Sequence, residues 1–338
     1  MNNFQRHPFK KYQLFVLFFY ICSHFCIGNL GLIVDAAAAA KMNTLMVTEH
    51  NKQFNEIASI IENELKSKYN VEKYFLDENA EYKSFEEKVK ESKPAVLILI
   101  NNPAVNLALK YNEKNPAING VALMGLNLRG LLKGQKNICG ISFDIPIYTL
   151  VTQFAMLMEK NIKKVLVYSR DSIFSPVTAI NESRLKTSGV TLITKNVEKY
   201  GKNKTDVEKF LQEEKKKFNT IKNEFDVITI LLDSAFLSPD FFKDFWIPLS
   251  NEAQVPLIAG VESLVSPQLN FAVFGITPNI ADLGLQAVQM ITAVINGEKA
   301  EDISVEEPLG GNKILNSKKA ETLSLKFNQD KLEDVNKL

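Results

Sequence analysis

The stretch PAVLILINN (94–102) constrains this chain more than any other segment. From Ala95 to Ile100 every residue is apolar, and the run is bounded by Pro94 and Asn101. A strand with no polar face must be covered on both sides, and that is the condition of a parallel sheet with helices above and below. The neighbouring sequence repeats the theme. NTLMVTEH (43–50) is strand-like and runs into NKQFNEIASIIENELKSK, whose Phe54, Ile57, Ile61 and Leu65 share one helical face. VEKYFL is followed by the charged helix SFEEKVKES, and PAVNLALKYNEKN by the strand NGVALMG.

The pattern restarts after NICGISFDIP (137–146), a strand-like crossover ended by Pro146 and the one boundary candidate. A helix over 147–161 leads to KKVLVYS (163–169), then to the helix PVTAINESRLKTSG, the strand TLITKNVEK and a long charged helix. DVITILLDS (226–234), VPLIAG and NFAVFG complete the series. Alternating strands and helices predict an α/β protein of two successive five-stranded, doubly wound units. Phe241, Phe242, Phe245 and Trp246 fall at helical spacing and are assigned to the core. The run EEKKKF (213–218) reads as a solvated helix face.

The first 40 residues stand apart. Arg6, Lys10 and Lys11 precede the apolar stretch 14–34, which runs into AAAAAK. Basic start, apolar middle and small residues in Ala-x-Ala register describe a secretory signal peptide over 1–40, cleaved near Ala38–Ala40. A retained membrane anchor is the rival reading, since the stretch is long enough to span a bilayer; His24, Asn29 and the glycines weaken it as a helix. Neither Cys22 nor Cys26 follows the Leu-Ala-Gly-like residues that precede a lipidated cysteine. Without residues 1–40 the chain has 37 basic and 38 acidic residues, a net charge of −1, which gives no reason to expect nucleic acid. Only Cys139 then remains, so no disulfide framework is expected despite an exported address.

Enzyme signatures are missing from the sequence. There is no Gly-x-Gly-x-x-Gly after the first strand, no Walker loop and no Gly-x-Ser-x-Gly. His50 is the one histidine beyond residue 40, so a histidine metal cluster is excluded, and no cofactor or metal is expected.

Several segments, in order, resemble the periplasmic solute-binding proteins of ABC transporters, in the group associated with aromatic amino acids. NICGISF resembles the family's Asn-Val-Thr-Gly-Val-Ser crossover, and KKVLVYS its Arg-Val-Gly-Val-Leu-Tyr-Asn strand. DVITILLDSAF, VPLIAGVES and INNPAVNLAL (100–109) resemble further family segments. Most specific is ADLGLQAVQMITAVINGEKAEDISVEEP, followed by ILNSKKAETL, which resembles the family's Glu-Leu-Gly-Arg-Gln-Ala-Ala helix and Gly-Glu-Lys-Pro-Ala-Asp-Ile-Pro tail. The likeness covers about 43–325 and is strongest after 137.

The resemblance implies a periplasmic-binding-protein type I fold: two Rossmann-like doubly wound lobes joined by three hinge crossovers, with ligand held between them. By that analogy lobe 1 is 41–143 with 276–303, and lobe 2 is 144–275 with 304–338. Phe274–Thr277 is then the third crossover, with Gly275 permitting a bend, Thr277 capping the next helix and Pro278 in its first turn.

In open parallel sheets, ligands sit outside the carboxyl ends of strands. The candidates in the first lobe are His50, Asn51, Asn101, Asn102, Met124 and Gly125. In the second they are Ser169 through Ser175, with Phe174 among them, then Asp233, Ser234, Glu262 and Ser263. Asp233 or Glu262 can accept an ammonium; Ser175, Ser234 and free helix N–H groups can hold a carboxylate. Asn101-Asn102-Pro103 serves equally as a helix cap, and Phe174 either stacks on a ligand ring or packs beneath its loop. Phe174-Ser175 stands where the family tends to Asn-Ser, and Leu232-Asp233-Ser234 where it has Thr-Asp-Asn, which bears on specificity more than on fold.

The expectation is a monomeric, extracytoplasmic solute-binding component of an ABC importer. It would bind a small molecule, an amino acid with the aromatic ones among the candidates, by hinge closure, and present it to ABC permease membrane subunits. The alternatives are a sensor that presents its closed form to a membrane receptor and, after it, an enzyme with its site in the lobe cleft.

Overall fold

The computed structural model describes residues 41–77, 81–197, 204–221, 224–233 and 236–338. The expected export segment therefore lies outside the described residues. Residues 41–338 make one compact unit. Its first sheet contains β1 (Asn43–Glu49), β2 (Asn70–Leu76), β3 (Val96–Ile100), β4 (Asn119–Gly125) and β5 (Ile138–Ser142), all parallel, in the order β2-β1-β3-β4-β5. Helices α1 (Lys52–Leu65), α2 (Tyr82–Ser92), α3 (Asn102–Lys114) and the short α4 (Leu128–Leu131) connect them.

The all-apolar strand read from the sequence is β3, and both its faces are covered. Ile98 and Ile100 join Met46 against Ile57 and Ile61 of α1, whereas Leu97 and Leu99 join Leu45 and Val47 against Phe85 of α2 and Ala108 of α3. Period-2 alternation thus sends successive residues into two separate cores. Each large aliphatic side chain buried in this way contributes about 1.5–3 kcal/mol.

The second sheet contains β6 (Lys164–Ser169), β7 (Thr191–Asn196), β8 (Val227–Ile230), β9 (Leu257–Ala259), β10 (Phe274–Pro278), β11 (Gly311–Leu315) and β12 (Val335–Lys337), in the order β12-β11-β10-β9-β8-β6-β7. Five strands were expected here, and β11 and β12 are the additions. They are short, with only Ile314, Leu315 and Val335 buried, so no periodicity marks them in sequence. β11 runs antiparallel to β10, the one antiparallel pairing among these strands.

One face of this sheet packs on α5 (Ile147–Leu157) and α6 (Asp171–Thr187). The other is covered by α7 (Lys204–Ile221) and the helical segment α8 (Pro239–Phe241) to α9 (Ile247–Glu252). As expected, Phe241, Phe245 and Trp246 are buried; Phe242 is only partly so. A π-helical turn over Phe242–Trp246 precedes Pro248, which has no N–H to continue the α-helical ladder. The helix α10 (Glu262–Val265) follows β9, and α11 (Ile280–Ile295) and α12 (Ser317–Thr322) complete the set.

The chain passes between the sheets three times. Residues 143–146 lead from β5 into α5, and Asn279 leads from β10 to α11, which packs on α1 and on β3, β4 and β5. Residues 303–310 then return to β11, and on the way Glu306 pairs with β5: its N–H donates to the Gly140 carbonyl and its carbonyl accepts from the Ser142 N–H.

Two details of the expected third crossover change. β10 pairs with β11 through Pro278, so the passage falls at Asn279, whose side chain caps α11 by accepting from the N–H groups of Ala281 and Asp282. Thr277 is a strand residue, not the cap. Gly275 makes no bend: a Cβ there would lie 2.6 Å from Val265 Cγ2 and 2.7 Å from the Ala259 carbonyl oxygen, so glycine is needed for close packing.

Candidate functional site

Strand ends from both lobes meet in a polar cavity of about 450 Å³. Asn102 and Asn106 of α3 and Asn127, just before α4, line it from the first lobe. Arg170, Phe174 and Asp233 line it from the second. A smaller and mainly apolar cavity of about 60 Å³ adjoins it, sharing Asn127, Phe174 and Leu232. Ile147, Leu150, Val177 and Ile180 supply its apolar wall, and Asp144 and Tyr148 are among its polar residues. The cleft therefore has a polar outer chamber and an apolar inner one, with contributions from both lobes.

Arg170 and Asp233 dominate the outer chamber. Asp233 stands just past β8, and its side chain has no exposed surface. Arg170 follows β6 directly, since β6 and β8 are neighbours in the sheet. Its Nε donates to Asp233 Oδ2 at 2.6 Å and its Nη2 to Oδ1 at 2.5 Å, a two-pronged charge-assisted pair. Asp233 is thus no open acceptor for an ammonium, as the sequence reading had it, because both its oxygens hold the guanidinium. The pair instead fixes Arg170, leaving the Nη1 end of the guanidinium without a hydrogen bond among the described residues. A guanidinium held in place at a cavity wall is suited to a carboxylate.

The other expected residues divide clearly. Phe174 is buried and lines both chambers. Asn102 lines the outer chamber, but its amide already bridges the backbone of Leu126, accepting from its N–H and donating to its carbonyl. Asn101 caps α3 by accepting from the Ala104 N–H, and its Nδ2 donates to Glu49 Oε2. Its φ of 85° places it in the left-handed half of the map, where asparagine is better tolerated than most residues.

Asn51 caps α1, accepting from the Gln53 N–H, and is exposed. His50 is exposed and stacks on Phe75 with ring centroids 4.2 Å apart. Gly125 is a packing position, since a Cβ would meet Leu128 and Asn102 Oδ1. Met124 and Ser169 are buried. The structure brings none of these five into the two chambers. Glu262 and Ser263 line a separate cavity of about 800 Å³ with Gln53 and Ile280. Ser175 falls on α6, but its side chain, like the whole of Ser234, lies outside the described residues.

Arg170 fell within the expected strand end 169–175 but was given no role there, and sequence reasoning missed Asn127, Asp144, Tyr148 and Glu307. Glu307, in the crossing over residues 303–310, joins the lobes on the wall of the inner chamber. It accepts from Tyr148 Oη at 2.8 Å and pairs with Arg184 at 3.1 Å and with Arg129 of α4 at 3.6 Å. Arg184 also lies over the Tyr148 ring, 4.4 Å from its centroid. Among the described residues no group of histidine, cysteine and carboxylate side chains could hold a metal ion.

Solved structures resemble this fold along most of its length. The ligand-free, open form of a Clostridium difficile substrate-binding protein with adhesive properties is 16% identical, covers 87% of this chain and 98% of its own, and gives a TM-score of 0.60. An ABC domain from Streptococcus pneumonia in complex with L-Trp is 16% identical, with 88% and 99% covered and a TM-score of 0.57. An ABC transporter substrate-binding protein from Desulfitobacterium hafniense in complex with Leu is 14% identical, with 77% and 86% covered and a TM-score of 0.51. At such identities the likeness bears on fold alone, and the fold is the type I periplasmic-binding architecture of two α/β lobes. Comparison with curated protein sequences yields no match. The family profile described as ABC transporter substrate binding protein matches residues 61–337, and the chain belongs to that family.

Proposed function

We propose that this protein is the extracytoplasmic solute-binding component of an ABC importer, and that it captures an amino acid between its lobes. The observation that carries the proposal is the two-chamber cleft, in which Arg170, fixed by Asp233, faces a polar space built from both lobes. Family membership supports transport rather than turnover. The amino-acid class is supported by the L-Trp and Leu complexes of two proteins with this fold. Arg170 takes the ligand carboxylate, and the apolar inner chamber takes its side chain.

Capture proceeds by closure about the three crossings, with lobe 1 as 41–143 and 279–303 and lobe 2 as 144–278 and 304–338. Contacts made only when both lobes engage the ligand shift the population to the closed form. A permease then reads that form. Export by a signal peptide over 1–40, cleaved near Ala38–Ala40, places the protein outside the cytoplasm; no helix among the described residues is long and apolar enough to cross a membrane.

A thermal-shift screen of the purified protein against the common L-amino acids tests the proposal. A ligand that binds only the folded state at 100 times its Kd stabilises by about 2.7 kcal/mol, which is a readily measured rise in melting temperature. No rise with any amino acid, or chemical conversion of one by the protein, overturns the reading.

A further inference from the structure

The inner chamber is small, and the side chains that limit it belong to one lobe. A cavity of about 150 Å³ lined by aliphatic and aromatic side chains binds benzene, which is about 25 Å³ per ring carbon. At that ratio a chamber of about 60 Å³ holds about two or three carbon atoms. An isopropyl group, the end of a valine or leucine side chain, fits that room; a phenyl ring or an indole does not.

The limiting walls do not part when the lobes do. Ile147 and Leu150 belong to α5, and Phe174, Val177 and Ile180 to α6. These two helices pack against each other on the same face of the second sheet, and Ile147, Leu150 and Phe174 are part of the core there. Opening the cleft carries Asn127 and Arg129 away with the first lobe but leaves the α5–α6 wall in place. Close-packed interiors resist widening, because making room for extra atoms displaces side chains and backbone together.

Phe174 has the decisive position. It lines both chambers, so its ring is part of the partition between them, and it is 6% exposed. Its N–H donates to the Arg170 carbonyl at 2.8 Å, the first-turn bond of α6, which sets the ring one helical turn from Arg170. Carboxylate recognition and the limit on the side chain thus come from one turn of one helix.

We infer that Phe174 is the specificity-determining residue of the cleft, and that it restricts the ligand to amino acids with short aliphatic side chains. This rests on the proposed function and narrows it: with the carboxylate at Arg170, the ligand side chain passes Phe174 into the inner chamber. An aromatic ring could enter only by driving Phe174 out of the core or α6 away from α5.

The test is calorimetric titration of the purified protein with L-valine, L-leucine, L-phenylalanine and L-tryptophan. Wild type is expected to bind the aliphatic pair at least tenfold more tightly than the aromatic pair, the discrimination that a pocket of fixed volume provides. Phe174→Leu and Phe174→Ala remove the ring and open the partition. Each is expected to shift the ratio of aromatic to aliphatic affinity at least tenfold toward the aromatic ligands. A ring that merely supports the lobe would, when removed, weaken all four ligands alike and leave the ratio unchanged. Phe174→Leu keeps an apolar side chain in the core and carries the test if melting curves show that Phe174→Ala does not fold.

Wild-type protein that binds L-phenylalanine or L-tryptophan as tightly as L-leucine overturns this inference and leaves the amino-acid reading standing. An unchanged ratio in the folded variants does the same. Absence of binding by all four also overturns it; the amino-acid reading falls with it only where the thermal-shift screen of the common L-amino acids is blank as well.

Discussion

Replacing Arg170 by alanine takes the guanidinium away from a carboxylate that has no exposed surface. The two sides of the pair are unequal: the Asp233 side chain is 0% exposed and that of Arg170 is 25% exposed. Loss of Arg170 therefore leaves a buried charge without its cation, a change that costs about 3–5 kcal/mol. Loss of Asp233 leaves a guanidinium that can turn toward the cavity and solvent, so Asp233→Ala is expected to cost less, about 1–3 kcal/mol. Removing both leaves no stranded charge, and the double variant is expected to be more stable than Arg170→Ala alone.

For a domain somewhat above 250 residues, 1 kcal/mol shifts the melting temperature by about 2 °C, so Arg170→Ala should melt about 6–10 °C below wild type. Trp246 is the single tryptophan and is buried in the second lobe, where the pair lies, so its fluorescence during guanidinium unfolding reports on the affected lobe. A double-mutant cycle with a coupling below about 0.5 kcal/mol, or an Arg170→Ala no less stable than Asp233→Ala, would refute the reasoning.

Further outcomes are expected elsewhere. Gly275→Ala forces a Cβ to within 2.6 Å of Val265 Cγ2 and 2.7 Å of a carbonyl oxygen, and should destabilise by about 1–3 kcal/mol by denaturant titration. Burial raises the Asp144 pKa, so its folded form binds more protons than its unfolded form and wild-type stability falls as pH rises through that interval; Asp144→Asn should raise the ligand-free melting temperature at neutral pH, with the gain shrinking in acid. Burial also pushes the Cys139 thiol up to about 12, and its Sγ has almost no surface, so at pH 8 a thiol reagent should modify it only as fast as the protein unfolds. Glu307→Gln weakens the contacts that join α4, α5 and α6, and small-angle scattering of the ligand-free protein should show a larger radius of gyration; an unchanged value removes Glu307 as a lobe tie.

The fold was legible because its strongest signals are local. β3 and its neighbours announce themselves as apolar runs, and α1 and α11 as one-sided helices, since each pattern is dictated by burial against immediate neighbours. β11 and β12 were not legible, because strands of three to five residues that bury only Ile314, Leu315 and Val335 show no period. The site was legible only in outline. Phe174 and Asp233 were legible as residues that line the cavity because strand ends point to clefts, yet the pairing of Asp233 with Arg170, 63 positions earlier, is carried by no local pattern.

Asp144 was hidden for another reason: an aspartate two residues before a proline in a crossover reads as a turn, and its place in the cleft is visible only once Asn127 and the chamber wall surround it. Asn101 and Asn51 show the converse. Their positions fit a ligand contact, but the orphan N–H groups of the helices behind them claim their side chains.

The three crossings have a consequence for affinity that concerns neither chamber. A ligand caught by one lobe meets the other as an intramolecular partner, and three short tethers hold the second face at an effective concentration of the order of millimolar or higher. Each lobe can then be a poor binder alone while the tethered pair binds tightly, because the entropy of bringing the halves together was spent when the chain folded. Release works by the same arithmetic in reverse. A partner that prises the lobes apart need not compete for the ligand, since separating the faces removes the chelate advantage and leaves a weak, fast-dissociating half-site.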